Sequence, residues 1–511
     1  MERGEMQKEI TLTGFDLQIS DVLRLAREEV VVNLDSHALE KVKKARQIVL
    51  QKAQGTEKIY GLNTGVGQNK DQRIAIDAFE EFNRNLIYSH LVAIGDAVPE
   101  VQARAVLLIK LHSFLRGNSG VSEKIIFLLK ELINRRITPV MKATSSIGEA
   151  DLGTLAFLGL VLMGEGEVYY HGKICKTAQV FAKENLKAVV LGVKDGLSIV
   201  SSNAYSQALS IFAIDEMRCL LANMELIYSL TLEAVDGNIT PFLYFSKTAP
   251  SGSGYLLAAE KILTNLSDSY LLKQHFRKSM QDPLSFRNFP NVVASLYDAL
   301  AYLSKIVSTN LSVSDENPYV DLEKEEILST SNYDTTSVAL ALEMVNTALS
   351  QLARMSVFRI IKLGDSSFTD LPRFLAANEQ MLGFQTLQKT AVRLEVQIND
   401  LTNTTINNFY PISSGIEDYA TNLLLILSKN TQIISYFNYI LAIEGLSAAQ
   451  AIDLGQVKQL GVGSQQLYSQ FRTLVPFLEK DSNLSELVEK IASELIANTL
   501  GIATSFGAAQ L

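Results

Sequence analysis

The chain has 511 residues, with 46 Lys and Arg, 55 Asp and Glu, and a formal net charge of −9. Its length exceeds what one compact core usually supports, so two or three lobes are expected. Because the acidic surplus is small for this length and no block of basic residues stands out, the composition argues against a nucleic-acid-binding or anionic-membrane-binding protein.

The composition also indicates the class of protein and its compartment. Apolar residues make up 47% of the chain and charged residues 20%, which is typical of a globular protein with a large core. The two cysteines, Cys175 and Cys219, cannot form a disulfide framework, and no Cys/His cluster has the spacing of a zinc site. The charged N-terminal residues lack the apolar segment of a secretory signal. We therefore expect a soluble cytoplasmic protein that binds no metal.

Residues 1–200 are predicted to form an N-terminal lobe of mixed structure. Turns with clustered glycines or serines, at 60–67, 116–120 and 145–152, mark backbone that turns tightly or approaches another group closely. The apolar run from Gly153 to Gly164 is too short to span a bilayer, so it predicts a buried core helix. After it, Gly164 to Gly172 alternates polar and apolar residues and predicts a short β-hairpin.

Residues 201–511 are predicted to form a central bundle of long helices followed by C-terminal helices. From about Ser206 onward, apolar residues recur at three- and four-residue spacing, and the whole chain has only 10 prolines. Helices of such length usually pack centrally in a bundle and often across subunits. An α-solenoid is the alternative, but no fixed repeat is visible. The long helices are predicted at Val292 to Leu311, Thr336 to Leu363, Leu375 to Thr402 and Glu417 to Gly445.

The first motif that could carry chemistry is the glycine-rich stretch Gly61 to Gly67. It does not match a phosphate-binding loop, because no Gly-Lys-Ser/Thr follows and no strand-turn-helix unit surrounds it. We interpret it as a mobile loop that delivers Tyr60 to a site, with its glycines as the hinge. An ordinary surface turn is the alternative interpretation.

Two further stretches place charged residues beside predicted long helices. Arg287 precedes one helix, and its guanidinium could hold a substrate carboxylate through two parallel hydrogen bonds. An ordinary ion pair is the alternative. Glu417 stands at the predicted start of another helix, where the helix dipole favours acidic residues for structural reasons alone.

Taken together, these stretches resemble the aromatic amino acid ammonia-lyase family, which includes the histidine and phenylalanine ammonia-lyases. The resemblance implies a mainly α fold, a fumarase-like bundle of long helices with a mixed N-terminal lobe. It also implies a homotetramer whose active sites combine residues from several subunits. The segments that carry the resemblance follow in family order: Tyr60 to Gly67, Asn85 to His90, Arg116 to Gly120, Gly164 to Glu167, Gln281 to Arg287, Ser331 to Tyr333, and Glu417 with Asp418.

The chain departs from the family where the family forms its electrophilic cofactor. That group, a methylidene-imidazolone, arises autocatalytically from an internal Ala-Ser-Gly tripeptide followed by Asp-Leu. The corresponding stretch, Gly148 to Leu152, is one residue shorter and lacks both the serine and the second glycine. Ser201 stands where the family has a cofactor-supporting asparagine, and Leu284 replaces a tyrosine. Without a serine to dehydrate, the electrophile cannot form, so we expect no cofactor.

This departure favours a substrate whose nitrogen is already quaternary. An alkylammonium is a poor leaving group, whereas a trimethylammonium departs as neutral trimethylamine without a covalent adduct, so a base and charge stabilisation could suffice. The same logic applies to the ergothionase branch of the superfamily, which splits ergothioneine into thiourocanate and trimethylamine. We therefore predict an ergothionase-like carbon-nitrogen lyase.

The resemblance implies a role for each candidate residue. Tyr60 is the predicted general base that removes the β-proton, and Arg287 is the predicted clamp for the substrate carboxylate. Lys389 stands in a stretch that is normally apolar and small, and with Glu417 it is expected to reach toward the substrate ring. A structural Lys-Glu ion pair is the alternative. His90 is expected to hydrogen-bond an imidazole-like ring.

The remaining candidates surround the expected position of the cationic nitrogen. Glu149 would place a carboxylate near it, with a solvated loop carboxylate as the alternative, and Tyr333 would present its ring face to the methyl groups. Asn203 follows Ser201 in the altered segment and is assigned to substrate binding, while Asp151 is expected to cap a helix. Alternative functions are a lyase or aminomutase acting on another aromatic amino acid or betaine, such as histidine, and a non-catalytic structural or regulatory relative.

Overall fold

The computed structural model describes residues 9–273, 280–457 and 459–497. The described residues are mainly helical, as predicted. Their α-helices, in chain order, are α1 (Ile19–Arg27), α2 (Ser36–Ala53), α3 (Phe79–Ser89), α4 (Glu100–Phe114), α5 (Glu123–Asn134), α6 (Leu152–Leu162), α7 (Thr177–Glu184), α8 (Asp195–Val200), α9 (Ala204–Ala234), α10 (Thr240–Thr248), α11 (Gly254–Asn265), α12 (Leu284–Arg287), α13 (Phe289–Ser312), α14 (Thr336–Leu363), α15 (Ser366–Thr369), α16 (Leu387–Leu401), α17 (Leu423–Leu454), α18 (Val462–Leu474) and α19 (Leu484–Ala497). None of these helices is long and apolar enough to cross a membrane.

Short strands accompany the helices in the described residues, seven of them before residue 177 and two between residues 319 and 328. The parallel pair is β1 (Glu9–Leu12) with β2 (Val31–Leu34); the antiparallel groups are β3 (Ile94–Ala97) with β5 (Lys142–Thr144), β4 (Thr138–Pro139) with β6 (Glu167–Tyr170) and β7 (Lys173–Lys176), and β8 (Tyr319–Asp321) with β9 (Glu326–Leu328). A hairpin of β6 and β7 is confirmed here, but it runs from Glu167 to Lys176, so its second strand lies beyond the predicted end at Gly172. The buried core helix predicted before it is confirmed as α6.

The chain forms two compact units. Unit 1 comprises residues 9–212, 305–340 and 405–427, and unit 2 comprises the described residues of 213–304, 341–404 and 428–497. Unit 1 therefore begins with the predicted N-terminal lobe but also includes two later segments, which a division at residue 200 does not contain.

Two predicted helix starts are wrong. The helix predicted from Leu375 begins only at Leu387, because Phe374 and Leu375 adopt left-handed backbone angles that interrupt a right-handed helix. The helix predicted from Glu417 begins at Leu423 and runs to Leu454. Glu417 instead lies in the preceding loop, where its backbone pairs with that of Ile412, so it does not cap a helix. The helix predicted at Thr336 to Leu363 is confirmed with the same bounds.

Candidate active site

The Tyr60 loop lies between α2 and α3 in unit 1. Leu62 is buried in a cluster with Val49, Phe79 and Val320, which anchors the loop one turn from Tyr60. The phenol oxygen of Tyr60 accepts a hydrogen bond from the backbone N–H of Gly67 at 3.3 Å. The loop is thus closed on itself, with both ends of the glycine-rich stretch fixed.

Glu417 lies beside this loop. A Cβ atom built on Gly67 would lie 3.9 Å from Oε1 of Glu417. That same oxygen accepts a hydrogen bond from the hydroxyl of Ser413 at 2.9 Å. The N–H that holds the Tyr60 hydroxyl therefore belongs to a residue that faces the Glu417 carboxylate.

The loop that precedes Asp151 is held from several directions. Inside the loop, the hydroxyl of Ser146 accepts from the N–H of Gly148 at 3.0 Å and donates to the carbonyl of Ala150 at 3.0 Å. From outside, the hydroxyl of Thr335 donates to the Gly148 carbonyl at 2.7 Å. A Cβ on Gly148, whose φ is +96°, would lie 2.0 Å from Oγ1 of Thr421. This close approach requires glycine at position 148.

Glu149 is the residue that this loop presents. Its backbone pairs with Asp334 in an antiparallel bridge. Its Oε1 atom is buried and has no hydrogen-bond donor among the residues that the structure describes. Burial, and next the charge of Asp334, raise the pKa of Glu149 from 4.5 to about 8. The carboxyl group therefore favours its neutral form until a positive charge arrives.

The pKa of Tyr333 is affected by the charges of the other candidate residues in unit 1. Its pKa is raised first by burial and then by Glu149, Tyr60, Glu417 and Asp334. These groups therefore lie within electrostatic range of one phenol. The structure brings together Tyr60, Glu149, Tyr333 and Glu417, although more than 350 positions lie between the first and the last of them in the sequence.

Asn203 connects this group to the turn between α8 and α9. Its side-chain N–H donates to the backbone carbonyl of Tyr333 at 2.8 Å, and its own backbone N–H donates to Oδ2 of Asp315 at 2.8 Å. The hydroxyl of Ser202 donates to the same Asp315 oxygen at 2.5 Å. Asn203 is 4% exposed, and its Oδ1 has no donor among the described residues.

Sequence analysis missed the buried charges beneath this turn. Glu316 forms ion pairs with two buried lysines: Nζ of Lys110 lies 3.6 Å from one carboxylate oxygen, and Nζ of Lys194 donates a hydrogen bond to the other at 3.3 Å. Burial raises the pKa of the neighbouring Asp315, but Lys110 and the Ser202 and Asn203 donors outweigh it and lower the pKa overall. The available signal was a lysine inside the apolar run of α4.

His90 ends α3, and its ring orientation follows from one contact. Its Nδ1 lies 2.8 Å from the carbonyl oxygen of Leu86, which can only accept. Nδ1 therefore carries the proton, and in the neutral ring Nε2 is an acceptor. The helix that carries His90 is tied to α8, because the N–H of Gly196 donates to Oδ1 of Asn83 at 2.8 Å.

Asp151 occupies the position before α6, but the capping role predicted for it is wrong. Its side chain makes no capping bond to α6. Instead, Oδ2 accepts from both the N–H and the hydroxyl of Ser206, in the first turn of α9, at 2.8 and 3.0 Å. Burial raises the pKa of Asp151 to about 6, against the effect of the Ser206 donors.

Arg287 and Lys389 belong to unit 2. Arg287 ends α12, and its guanidinium donates to the side-chain carbonyl of Gln281. This turn is held by Arg359, which donates to the Ser285 carbonyl at 3.1 Å, and by Tyr228, whose hydroxyl donates to the Phe286 carbonyl at 2.9 Å.

Lys389 lies in the first turn of α16 and is exposed. Val392 and Val396 follow it by three and seven positions, so the three side chains share one face of the helix. Both valines are exposed, and this face therefore joins a cation to an apolar surface.

The candidate residues of unit 1 combine groups that could bind a cation with a phenol, Tyr60, that could act as a base. Carboxylates at Glu149 and Glu417 favour positive charge, and the Tyr333 ring can present a π face to it. The loop that replaces the Ala-Ser-Gly tripeptide does not fit a methylidene-imidazolone. Residues 148–150 contain no serine, and Gly148 has no room for the Cβ of an alanine.

Comparisons with known proteins agree with this architecture. The pattern that defines the aromatic amino acid lyase family matches residues 17–473. The chain is 32% identical to histidine ammonia-lyase of Stigmatella aurantiaca over 95% of the chain and 96% of that protein. Among solved structures, it is similar to the ergothioneine-degrading enzyme ergothionase of Treponema denticola, in complex with desmethyl-ergothioneine sulfonic acid. The TM-score is 0.94, with 37% identity over 96% of this chain and 99% of that one. A tyrosine aminomutase has 26% identity, a TM-score of 0.90, and 97% and 98% coverage.

Proposed function

Because the chain belongs to the aromatic amino acid lyase family, and its relatives are carbon-nitrogen lyases, we propose that it eliminates trimethylamine from ergothioneine to give thiourocanate. The observation that carries this proposal is the Gly148 to Ala150 loop. By its resemblance, Glu149 corresponds to the position where the family forms its electrophile, and hydrogen bonds hold its backbone and that of Gly148. An enzyme without that electrophile requires a substrate whose nitrogen leaves unaided. The similarity to ergothionase supports the choice of substrate.

The reaction then needs only a base and charge stabilisation. Tyr60 removes the β-proton, the electrons of that C–H bond form the new C=C bond, and the Cα–N bond breaks. Trimethylamine leaves with the electron pair of the C–N bond and needs no proton. The hydrogen bond from Gly67 orients the Tyr60 hydroxyl for this task.

The other candidates hold the two ends of the substrate. Arg287 clamps the carboxylate, while Glu149 and Tyr333 face the trimethylammonium group. Lys389 and Glu417 bind the thioimidazole ring, and the Lys389 ammonium stabilises electron density that develops as the proton leaves. His90 hydrogen-bonds the ring through Nε2, and Asn203 contributes to substrate binding.

The family also supports a second substrate class. The curated relatives include histidine ammonia-lyases, so a lyase or aminomutase acting on histidine or another aromatic amino acid or betaine is the alternative. A non-catalytic relative is a further alternative, but it would give no reason to keep both Tyr60 and Arg287.

We further infer that the protein works in the cytoplasm as a homotetramer with shared active sites. Support for the assembly comes from exposed apolar side chains on long helices, such as Met344 and Phe358 on α14 and Val396 on α16. Large apolar side chains that are exposed on long helices are often covered by another subunit.

The test is to incubate the purified protein with ergothioneine, histidine and histidine betaine in parallel. We expect thiourocanate by its ultraviolet absorbance and trimethylamine by mass spectrometry, from ergothioneine and not from histidine. The intact protein should have the mass of its sequence, without the loss of two waters that accompanies the electrophile. Turnover of histidine alone would overturn the proposal, and turnover of none of the three would favour a non-catalytic relative.

A further inference from the structure

Several buried side-chain hydrogen-bond acceptors in unit 1 lack a donor among the described residues, including Oδ1 of Asp151 and Oε1 of Glu316. Two of them, Oε1 of Glu149 and Oδ1 of Asn203, belong to candidate substrate-binding residues. A buried acceptor without a donor is unfavourable, because it has lost its hydrogen bonds to water. In a substrate site, such atoms are satisfied when a ligand supplies donors or positive charge.

Both acceptors belong to residues that are fixed to the same short segment. Asn203 donates to the carbonyl of Tyr333, and the Glu149 backbone pairs with the next residue, Asp334. The residue after that, Thr335, donates to the Gly148 carbonyl. Three consecutive residues thus hold the turn before α9 and the Glu149 loop in one arrangement.

The contacts also settle which end of the Asn203 amide carries the oxygen. The group that faces the Tyr333 carbonyl at 2.8 Å must be the NH₂, because two oxygens would not bond. Oδ1 therefore points away from that carbonyl, as an acceptor of fixed direction. The Asp315 carboxylate holds the Asn203 backbone N–H at 2.8 Å, so the residue cannot readily rotate.

We propose that Oδ1 of Asn203 and Oε1 of Glu149 together form the subsite for the cationic nitrogen group of the substrate, and that Asn203 determines specificity for a cation. The subsite rests on the proposed function for the identity of that group. A trimethylammonium spreads its charge over its methyl hydrogens, which make C–H···O contacts with such oxygens. A neutral group of the same shape gains much less from them. The raised pKa of Glu149 agrees with a carboxyl group that ionises when the cation binds.

The experiment compares two ligands of the same shape. Calorimetry measures the dissociation constants of ergothioneine and of an isostere in which a neutral tert-butyl group replaces trimethylammonium. The protein carries Tyr60→Phe, which prevents turnover. We expect the cation to bind about 10- to 100-fold more tightly than the isostere. Glu149→Gln and Asn203→Ala should each reduce this ratio at least severalfold.

The ratio separates specificity from folding, because a general structural defect weakens both ligands equally. Matched controls are Glu131→Gln on α5 and Asn134→Ala, whose side chain bonds the Val32 backbone far along the chain from the site. Their ratios should equal that of the Tyr60→Phe background. An unchanged ratio in both Glu149→Gln and Asn203→Ala would overturn the subsite.

Failure of the proposed function would look different. If ergothioneine does not bind but histidine does, the proposed substrate is wrong, and the subsite is then tested with histidine and the same acid without its amino group. A ratio between these two that falls in Glu149→Gln and Asn203→Ala supports the subsite for an ammonium. A ratio that does not change overturns it.

Discussion

Glu149 combines a titratable carboxyl group with surroundings that disfavour its charge. Burial and the neighbouring Asp334 raise its pKa to about 8. Asp334 is the charged group that raises the pKa of Glu149, and Glu149, Tyr60 and Glu417 in turn raise the pKa of Tyr333. The native state thus retains a proton that the unfolded chain releases near pH 4.5, which makes stability depend on pH.

The sign of this dependence is fixed by the direction of the shift. Between about pH 4.5 and 8 the native state binds more protons than the unfolded state, so rising pH lowers the free energy of unfolding. Glu149→Gln removes this term. We expect its melting temperature to rise relative to the parent protein from pH 5 to 8 and then to level off, as measured by scanning calorimetry. Glu131→Gln, at a half-buried glutamate on α5 that pairs with Arg135, is the control. A difference that is constant or falls with pH would contradict the prediction.

Tyr60 is predicted to act in the chemical step rather than in binding. Tyr60→Phe removes only the hydroxyl that would take the β-proton and that Gly67 orients. We expect kcat with ergothioneine to fall by about 10²- to 10⁴-fold, with little change in KM. Tyr169→Phe is the matched control, because its hydroxyl also makes one backbone contact, to the Val98 carbonyl at 3.2 Å. A rise in KM with an unchanged kcat would assign Tyr60 to binding instead.

The sequence could predict some of these residues and not others. Tyr60 and Glu149 stand in short segments that match the family's motifs, so the resemblance was enough to select them. Asp315 and Glu316 are different, because their partners are distant in sequence: Ser202 is 113 positions from Asp315, and Lys194 is 122 positions from Glu316. Pairing of that kind is determined by tertiary structure, and no local pattern reports it.

At the scale of elements, hydrogen bonds take the place of a covalent ring. In the family, cyclisation would rigidify the tripeptide loop. Here Thr335 and Thr421 both donate to the Gly148 carbonyl, and the N–H of Asn422 donates to the Ile147 carbonyl at 2.7 Å. Segments just before α14 and α17 therefore hold the Glu149 loop, which presents a carboxylate in a fixed position.

This arrangement predicts that Gly148→Ala is severely disruptive. The new Cβ would meet Thr421 Oγ1 at 2.0 Å, and a φ of +96° is itself unfavourable for alanine. We expect a loss of at least about 2 kcal/mol of stability, and little activity. Denaturant unfolding and turnover assays would measure both.

Gly172→Ala separates crowding from backbone strain. Gly172 also has a positive φ, +72°, but no atom lies within 4 Å of its added Cβ. Gly172→Ala should be less destabilising than Gly148→Ala. It should leave activity intact, because Gly172 lies in the β6–β7 turn. Equal effects of the two substitutions would show that the contact with Thr421 is unimportant. Thr421→Ala combined with Gly148→Ala should recover only part of the lost stability, because the strained φ remains.

Helix prediction succeeded where apolar periodicity was uninterrupted. The bounds of α14 follow from its sequence alone, because no left-handed residue lies at either end. For α17, the periodicity extends past the true start, but Asn422 adopts a φ of +54° and ends the irregular segment there. Its side chain donates to the carbonyl of Thr405, a contact 17 positions away. Such turns depend on contacts that apolar spacing does not encode.

At the scale of the whole molecule, the proposed homotetramer would cover exposed apolar side chains. On α14, Met344 and Phe358 are 47% and 51% exposed and are two heptads apart, so they lie on one stripe. On α16, Val392 and Val396 share a face with Lys389. A residue proposed to act in catalysis thus lies on a surface suited to a partner subunit. Lys389 would then serve a site that contains Tyr60 from another copy.

Co-expression of two inactive variants tests this sharing of sites. Tyr60→Phe and Lys389→Met should each be nearly inactive alone, but hybrid tetramers would contain sites with both native side chains. If the two residues of a site come from different subunits, random assortment restores about a quarter of the parental activity. If both come from one subunit, no site is restored. The control mixes the two separately purified proteins without subunit exchange, and native mass spectrometry with differently tagged chains counts the hybrids. Activity no greater than that control, with hybrids present, would contradict shared sites.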